Sequence, residues 1–502
     1  MRLFCLLLFG LPALAARADV TLAPIFSHSV VLQSDKTVPI WGRAAPGEVV
    51  VVSFRGQSVR TSAGADGRWI AYLQPMSASA DPATLDVVGR NLVTIYDVLV
   101  GEVWIASGQS NMDWPVNLVR GAAKEMVAAN FPFIRHVRIE PTAGPTATDM
   151  VKTSGWQRTT PETVGGFAAV PFFFARHVHR RIGVPIGIIS ASWGGTDIEA
   201  WMSDDARRWT TVTDKLVARW EQAKREWPPE RVARYPADME TWQKAEAHAK
   251  ATKTKNPLPW PKPPAIDTSP ARPGGPYNGM IAPLQPCAMR GFLWYQGESN
   301  VAHADEYGEL FVNLIRTWRT SWRQNDLPFF FVQLPNYADA DANGTSWALM
   351  REAQAKALAL PSTGMAVTID IGESDNLHPT DKQEVGRRLA LIALSKIYDI
   401  PTDWSGPQFT STTREGGTMR VKFQHATTGL IARDGEVQSL EIAGADKVFH
   451  PAISRIEGDI LIVSSPQVPE PVAVRYAWKN APKVNLFNRA GLPAVPFRTD
   501  TW

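Results

Sequence analysis

The chain has 502 residues, which at about 150 residues per domain predicts two to four domains. Hydrophobic residues make up 44% and charged residues 20%, a globular composition that excludes the disordered class. A formal net charge of +3 without a long basic run lacks the electrostatic footprint of a nucleic-acid binder, so no nucleic-acid partner is expected.

The opening stretch MRLFCLLLFGLPALAARA runs from Arg2 through apolar Leu3 to Leu14 and ends in the small-residue pattern Ala16-Arg17-Ala18. It predicts a signal peptide over residues 1–18, cleaved before Asp19, and hence a periplasmic or secreted protein. No later segment approaches about 18 uninterrupted apolar residues, so no membrane span is expected. Loss of Cys5 with the signal leaves Cys287 alone, which rules out an internal disulfide. The chain has neither CxxC nor HExxH and its histidines are scattered, so no metal and no cofactor are expected.

From Thr21 to about Asp97, short alternating runs such as VPIWG, EVVVVSF and RWIAYLQ are separated by Pro-Gly, Gly-Gln and Asp-Gly turns, predicting a β-sandwich-like module over 19–97. From Val98 the pattern becomes apolar strands ending in Gly/Ser/Asn turns and followed by helix-length segments, which predicts a parallel α/β sheet over 98–400. The five expected strands are Val98–Ala106, Val184–Ser190, Gly291–Tyr295, Phe329–Leu334 and Val367–Ile371. Helices are expected near Phe167–Ile182, Tyr307–Trp322, Trp347–Leu358 and Asp381–Tyr398. A charged, Trp-rich and then Pro-rich stretch over 203–276 reads as a helical insertion with an extended return. Alternation resumes in MRVKFQH, LIVSS and VAVRYAW, so 401–502 is read as a second β module.

Open parallel sheets bind ligands beyond the carboxyl ends of their strands, so the residues just after each strand carry the chemistry. After the first comes Ser107-Gly108-Gln109-Ser110-Asn111, where Gly108 permits a tight turn and Ser110 enters a helix as a candidate nucleophile. Serine there is also an ordinary N-cap. The GxSxG elbow of α/β-hydrolases is excluded because Met112 stands where that motif has glycine. After the fifth strand, Asp375-Asn376-Leu377-His378-Pro379 places a candidate base, His378, on a loop ahead of a helix opened by Thr380 and Gln383. Asp375 is the expected orienting acid, with Glu373 and Asp370 as rivals.

The loops after the second and third strands, Trp193-Gly194-Gly195-Thr196 and Gln296-Gly297-Glu298-Ser299-Asn300, offer backbone N–H and side-chain amide donors for an oxyanion hole. Together the four loops specify acyl transfer through serine. Gln109, Asn111 and Glu298 beside the reacting groups, and Trp114 and Trp193 with flat apolar faces, are expected to line the substrate pocket. A chain with 19 tryptophans suits a protein that stacks sugar rings, although tryptophans also fill cores.

The blocks VWIASGQSNM (103–112), YNGMIAPL (277–284), LWYQGESN (293–300), DNLHPTDKQEVGRRLAL (375–391) and NLFNRAGLPAVPFRTDTW (485–502) resemble the sialate O-acetylesterases and related carbohydrate acetylesterases of the SGNH-hydrolase type, from about Val30 to Trp502. The resemblance implies an SGNH-like three-layer fold with a parallel sheet and helices on both faces, flanked by the two β modules. It implies Ser110 as nucleophile, His378 as base and Asp375 as its partner in a D-x-x-H block. The oxyanion donors would be the Ser110 backbone, the backbone near Gly195, and an amide from Gln296 or Asn300. Many such enzymes carry G-x-N-D in the third block, where this chain has Gly297-Glu298-Ser299-Asn300. The expected substrate is an acetylated sugar, glycan or polysaccharide; sialoglycans and acetylated xylan or xyloglucan both stay open. A non-catalytic carbohydrate-binding protein and an esterase for apolar acyl chains are the alternatives.

Overall fold

The computed structural model describes residues 19–252, 254, 256–339, 341 and 343–502; the expected signal peptide over 1–18 lies outside the described residues. Seven strands on the main path of an eleven-stranded sheet organise the middle of the chain. They are β1 (Leu92–Gly108), β2 (Phe131–Arg138), β3 (Gln157–Thr159), β4 (Ile186–Ser192), β5 (Gly291–Tyr295), β6 (Phe329–Val332) and β7 (Thr363–Ala366). Their spatial order is β3-β2-β4-β1-β5-β6-β7, with every neighbouring pair parallel except β3 with β2.

Strand β1 is the axis of the molecule. Its first part alternates in burial and pairs antiparallel with Ser79–Val88, while everything from Val98 to Gly108 is buried at the centre of the parallel sheet. The expected division between 97 and 98 thus falls inside one continuous strand, at Asp97, which turns the backbone with φ +60°. Asparagine and aspartate tolerate that left-handed conformation better than other side chains. Mid-strand, the buried Glu102 carboxylate accepts from Arg290 at 2.5 and 2.7 Å, Tyr398 at 2.8 Å and Ser34 at 2.9 Å, so a charge at the heart of the core is fully partnered.

Helices α1 (Ala169–Ile182) and α6 (Lys382–Lys396) pack on each other, as do α4 (Ala304–Ser321) and α5 (Ser346–Ala355). The face α1 buries, Ala169 to Ala175 and Val178, joins the apolar strands in one continuous core. Between β4 and β5 the chain forms α2 (Thr213–Glu226) and α3 (Pro229–Thr252), then an extended proline-rich return. Beyond residue 401, two four-stranded sheets and a two-stranded one enclose a separate apolar cluster that includes Val421, Ile442, Leu461, Val463 and Tyr476.

Two expectations are corrected. The last strand is Thr363–Ala366, and Val367–Ile371 is its buried exit loop: the β-branched run reads as a strand, yet it lies past the last paired residue, Ala366. Helix α6 is capped by Asp381, whose carboxylate accepts the Glu384 N–H at 3.2 Å, so the cap lies one residue later than Thr380.

Candidate active site

The site grows from the exit of β1. Gly108 has φ +138°, and a Cβ there would stand 2.1 Å from the Tyr295 carbonyl oxygen, so only glycine lets β1 pass β5 this closely. The turn is pinned from both neighbouring strands: Gln109 N–H donates to the Tyr295 carbonyl at 3.0 Å, and Trp193 N–H donates to the Gly108 carbonyl at 3.0 Å. Ser110 opens the short helix Ser110–Asp113, and its Oγ stands 2.8 Å from His378 Nε2 across 268 residues of sequence. Both side chains are half-buried. That distance is the reach a nucleophile and its base require.

The loop carrying His378 is held from within by Glu373. Its Oε1 accepts from Thr380 N–H at 2.8 Å and Thr380 Oγ1 at 2.6 Å, and its Oε2 from Asn376 Nδ2 at 2.8 Å. Burial works against ionisation of Glu373, but these donors hold its carboxyl below the usual range. Asn376 Oδ1 in turn accepts the His378 N–H at 3.0 Å. Asp370 is committed to a two-pronged pair with Arg388 at 2.6 and 2.8 Å, so both rival acids serve the scaffold. Asp375 is exposed on the same loop, three residues before His378. Trp114 stacks flat on the His378 ring, with centroids 4.6 Å apart and planes 15° from parallel. One face of this tryptophan is therefore spent on the base.

Gln109 and Asn111 are 3% and 1% exposed and lie beneath the nucleophile, where the expected contact with substrate gives way to structural work. Gln109 Oε1 accepts the Gly297 N–H at 3.2 Å. Asn111 Nδ2 donates to Glu298 Oε1 at 2.5 Å and to the Leu377 carbonyl at 3.0 Å, stapling the serine helix to the histidine loop. Asn111 Oδ1 accepts from Lys382 Nζ, and this buried ammonium is pulled down to about 7 by loss of solvation. Burial pushes the Glu298 carboxyl up, and its Oε2 has no hydrogen-bond partner among the described residues. Lys382 was not among the expected residues; its sequence signal is a lone lysine four positions after His378, indistinguishable there from a solvated helix residue.

The amides of the third block are also engaged. Gln296 Nε2 donates to the Thr196 carbonyl at 3.1 Å and to Asn300 Oδ1 at 2.7 Å, and Asn300 Nδ2 donates to Glu199 Oε2 at 3.0 Å. They lock this block to the loop after β4. By contrast, the backbone N–H groups of Ser110 and Gly195 meet no protein acceptor among the described residues. Gly195 is exposed with φ +71°, and the adjoining Gly194 lies against Ser110, a Cβ there falling 3.3 Å from the serine Cβ. Trp193 is half-buried and packs on the main core. Among the described residues no three His, Cys, Asp or Glu side chains gather as a metal site requires, and no helix is long and apolar enough to cross a membrane.

These elements define an α/β protein with a serine and a histidine in contact beyond its strand ends. Residues 100–235 and 265–395 match the family described as carbohydrate esterase, sialic acid-specific acetylesterase. The chain belongs to that family and is an esterase. It is similar to the sialate O-acetylesterase of Mus musculus, 29% identical over 415 residues that span 75% of this chain and 73% of that one. The Homo sapiens sialate O-acetylesterase is 28% identical over 414 residues, covering 75% and 71%. A crystal structure of a carbohydrate acetylesterase from Xanthomonas citri is 36% identical, superposes with a TM-score of 0.81, and covers 96% of this chain and 100% of its own.

Proposed function

We propose that the protein is an exported carbohydrate O-acetylesterase that works through an acetyl-serine intermediate. The observation that carries this reading is the 2.8 Å contact between Ser110 Oγ and His378 Nε2. His378 takes the hydroxyl proton as Ser110 Oγ bonds to the acetyl carbon. The tetrahedral oxyanion is held by the N–H groups of Ser110 and Gly195, which have no other acceptor among the described residues. Collapse breaks the bond to the sugar oxygen, which receives the proton from His378; water then attacks the acetyl-serine by the same steps in reverse order and releases acetate. Asp375, three residues before His378, is assigned the task of stabilising the imidazolium by its charge.

The division into an N-terminal β module over 19–97, an SGNH-type catalytic unit over 98–400 with helices on both sheet faces, and a C-terminal β module over 401–502 belongs to the same proposal. Export rests on the opening apolar stretch with its Ala16-Arg17-Ala18 end. The test is acetate release from O-acetylated sialic acid and from acetylated xylo-oligosaccharides, with mass spectrometry of the acid-quenched enzyme. An added acetyl group on the peptide holding Ser110, absent from Ser110→Ala, is the expected result. Full activity of Ser110→Ala would overturn the mechanism.

A further inference from the structure

The insertion between β4 and β5 brings an aromatic side chain to the edge of the site. Its return segment Asn256-Pro257-Leu258-Pro259-Trp260-Pro261-Lys262-Pro263-Pro264 forms neither helix nor strand, and the nearest atom to a Cβ built on Gly195 is the Trp260 indole nitrogen, at 4.0 Å. Trp260 remains 51% exposed. It is propped edge-on by Trp242 of α3, with ring centroids 4.6 Å apart at 79°, and Trp242 Nε1 donates to the Leu258 carbonyl at 3.1 Å. Prolines on both sides fix the backbone φ, so the indole is presented with little conformational freedom left to lose on binding.

Asp197 stands two residues beyond Gly195. It is half-buried, ahead of the short helix Ile198–Trp201, and its carboxylate accepts no hydrogen bond from any described residue. The charges around it are those of Glu199, Arg219 and Lys262, the last two supplied by the insertion. Burial and the neighbouring Glu199 push its carboxyl well above the usual range. A desolvated acceptor with no donor is costly to keep and gains when a ligand brings hydroxyl groups to it.

We propose that Trp260 and Asp197 form the subsite that grips the pyranose ring of the acetylated substrate, Trp260 beneath its apolar C–H face and Asp197 accepting from its ring hydroxyls. An acetyl group offers little surface, so affinity must come from the sugar remote from the reacting carbonyl. Both groups adjoin Gly195, whose N–H serves the oxyanion: Trp260 comes within 4.0 Å of a Cβ built there and Asp197 follows two residues on, so a ring gripped by them carries an acetyl toward Ser110. The proposal rests on the esterase mechanism above and adds to it the residues that recognise the sugar.

The test uses Trp260→Ala, Trp260→Phe and Asp197→Ala in the otherwise intact enzyme. KM and kcat are compared for 4-nitrophenyl acetate and for whichever of acetylated xylo-oligosaccharides or 9-O-acetylated sialic acid the wild type turns over faster. Trp260→Ala and Asp197→Ala should each raise the sugar KM about tenfold more than the nitrophenyl acetate KM, the scale of one stacking or hydrogen-bonding contact. Trp260→Phe should recover most of the loss. Equal changes on both substrates, or a sugar KM unaltered in variants that melt like the wild type, would overturn the subsite. A wild type that cleaves nitrophenyl acetate but releases no acetate from any sugar would instead overturn the carbohydrate reading on which the subsite depends.

Discussion

At the scale of single residues, the proposal makes Ser110 and His378 one unit, so removing either should cost nearly as much as removing both. Ser110→Ala and His378→Ala are expected to lower kcat at least about a thousandfold, with the double variant little worse; a double variant slower than either single by the product of their losses would separate their roles. Asp375→Asn should be milder, because an exposed carboxylate is screened by solvent while Trp114 braces the ring. Lys382 predicts a signature in stability. Its folded value of about 7 lies below the ordinary 10.5, so between those pH values the unfolded chain binds a proton that the folded chain lacks, and stability rises with pH. Denaturant unfolding at pH 7, 8.5 and 10 should show the wild type gaining on Lys382→Met across that window. A pH-independent difference would mean that the ammonium is solvated.

At the scale of elements, a charged clamp helps to fasten the insertion: Arg219 of α2 donates to Glu306 of α4 at 3.0 and 2.8 Å. The Glu306 side chain is only 5% exposed, so Arg219→Ala takes the two-pronged partner from a nearly buried carboxylate and leaves Lys215 at a looser 3.6 Å, and should cost about 2 kcal/mol of stability, read from urea midpoints. The strands carrying Ser110 and the QGESN block were legible because β-branched and aromatic runs end in glycine turns. Strand β2 was not, since FPFIRHVR holds Pro132, Arg135, His136 and Arg138, which argue against burial. Arg135 is buried all the same because Asp97 meets its guanidinium at 2.6 and 2.9 Å, a partner 38 residues away that no local pattern shows. The contact of Ser110 with His378 was readable from the topology of strand ends. Which amide stayed available for an oxyanion was not, because Gln296 and Asn300 are consumed by Thr196 and Glu199, residues that only the folded sheet brings within reach.

At the scale of the whole molecule, the C-terminal module is wedded to the catalytic unit through Arg351. This fully buried guanidinium donates to the Pro335 carbonyl at 2.9 Å and to the carbonyls of Lys479 and Asn480, and burial lowers it to about 9. Arg351→Met should lose about 3 kcal/mol, seen as a lower melting temperature, and should depress kcat more than it raises KM. The reason is the route from there to the base: Tyr337 N–H donates to the Asn480 carbonyl at 3.1 Å, and Ala338 N–H to the Ser374 carbonyl at 2.7 Å, in the loop that carries His378. A melting temperature that falls while kcat holds would show that this bracing does not reach the histidine. If that bracing reaches the histidine, the two halves of the proposed machinery mature at different moments of folding: the serine turn needs only the central sheet, whereas the histidine loop is steadied once residues 479–480 have docked on Arg351.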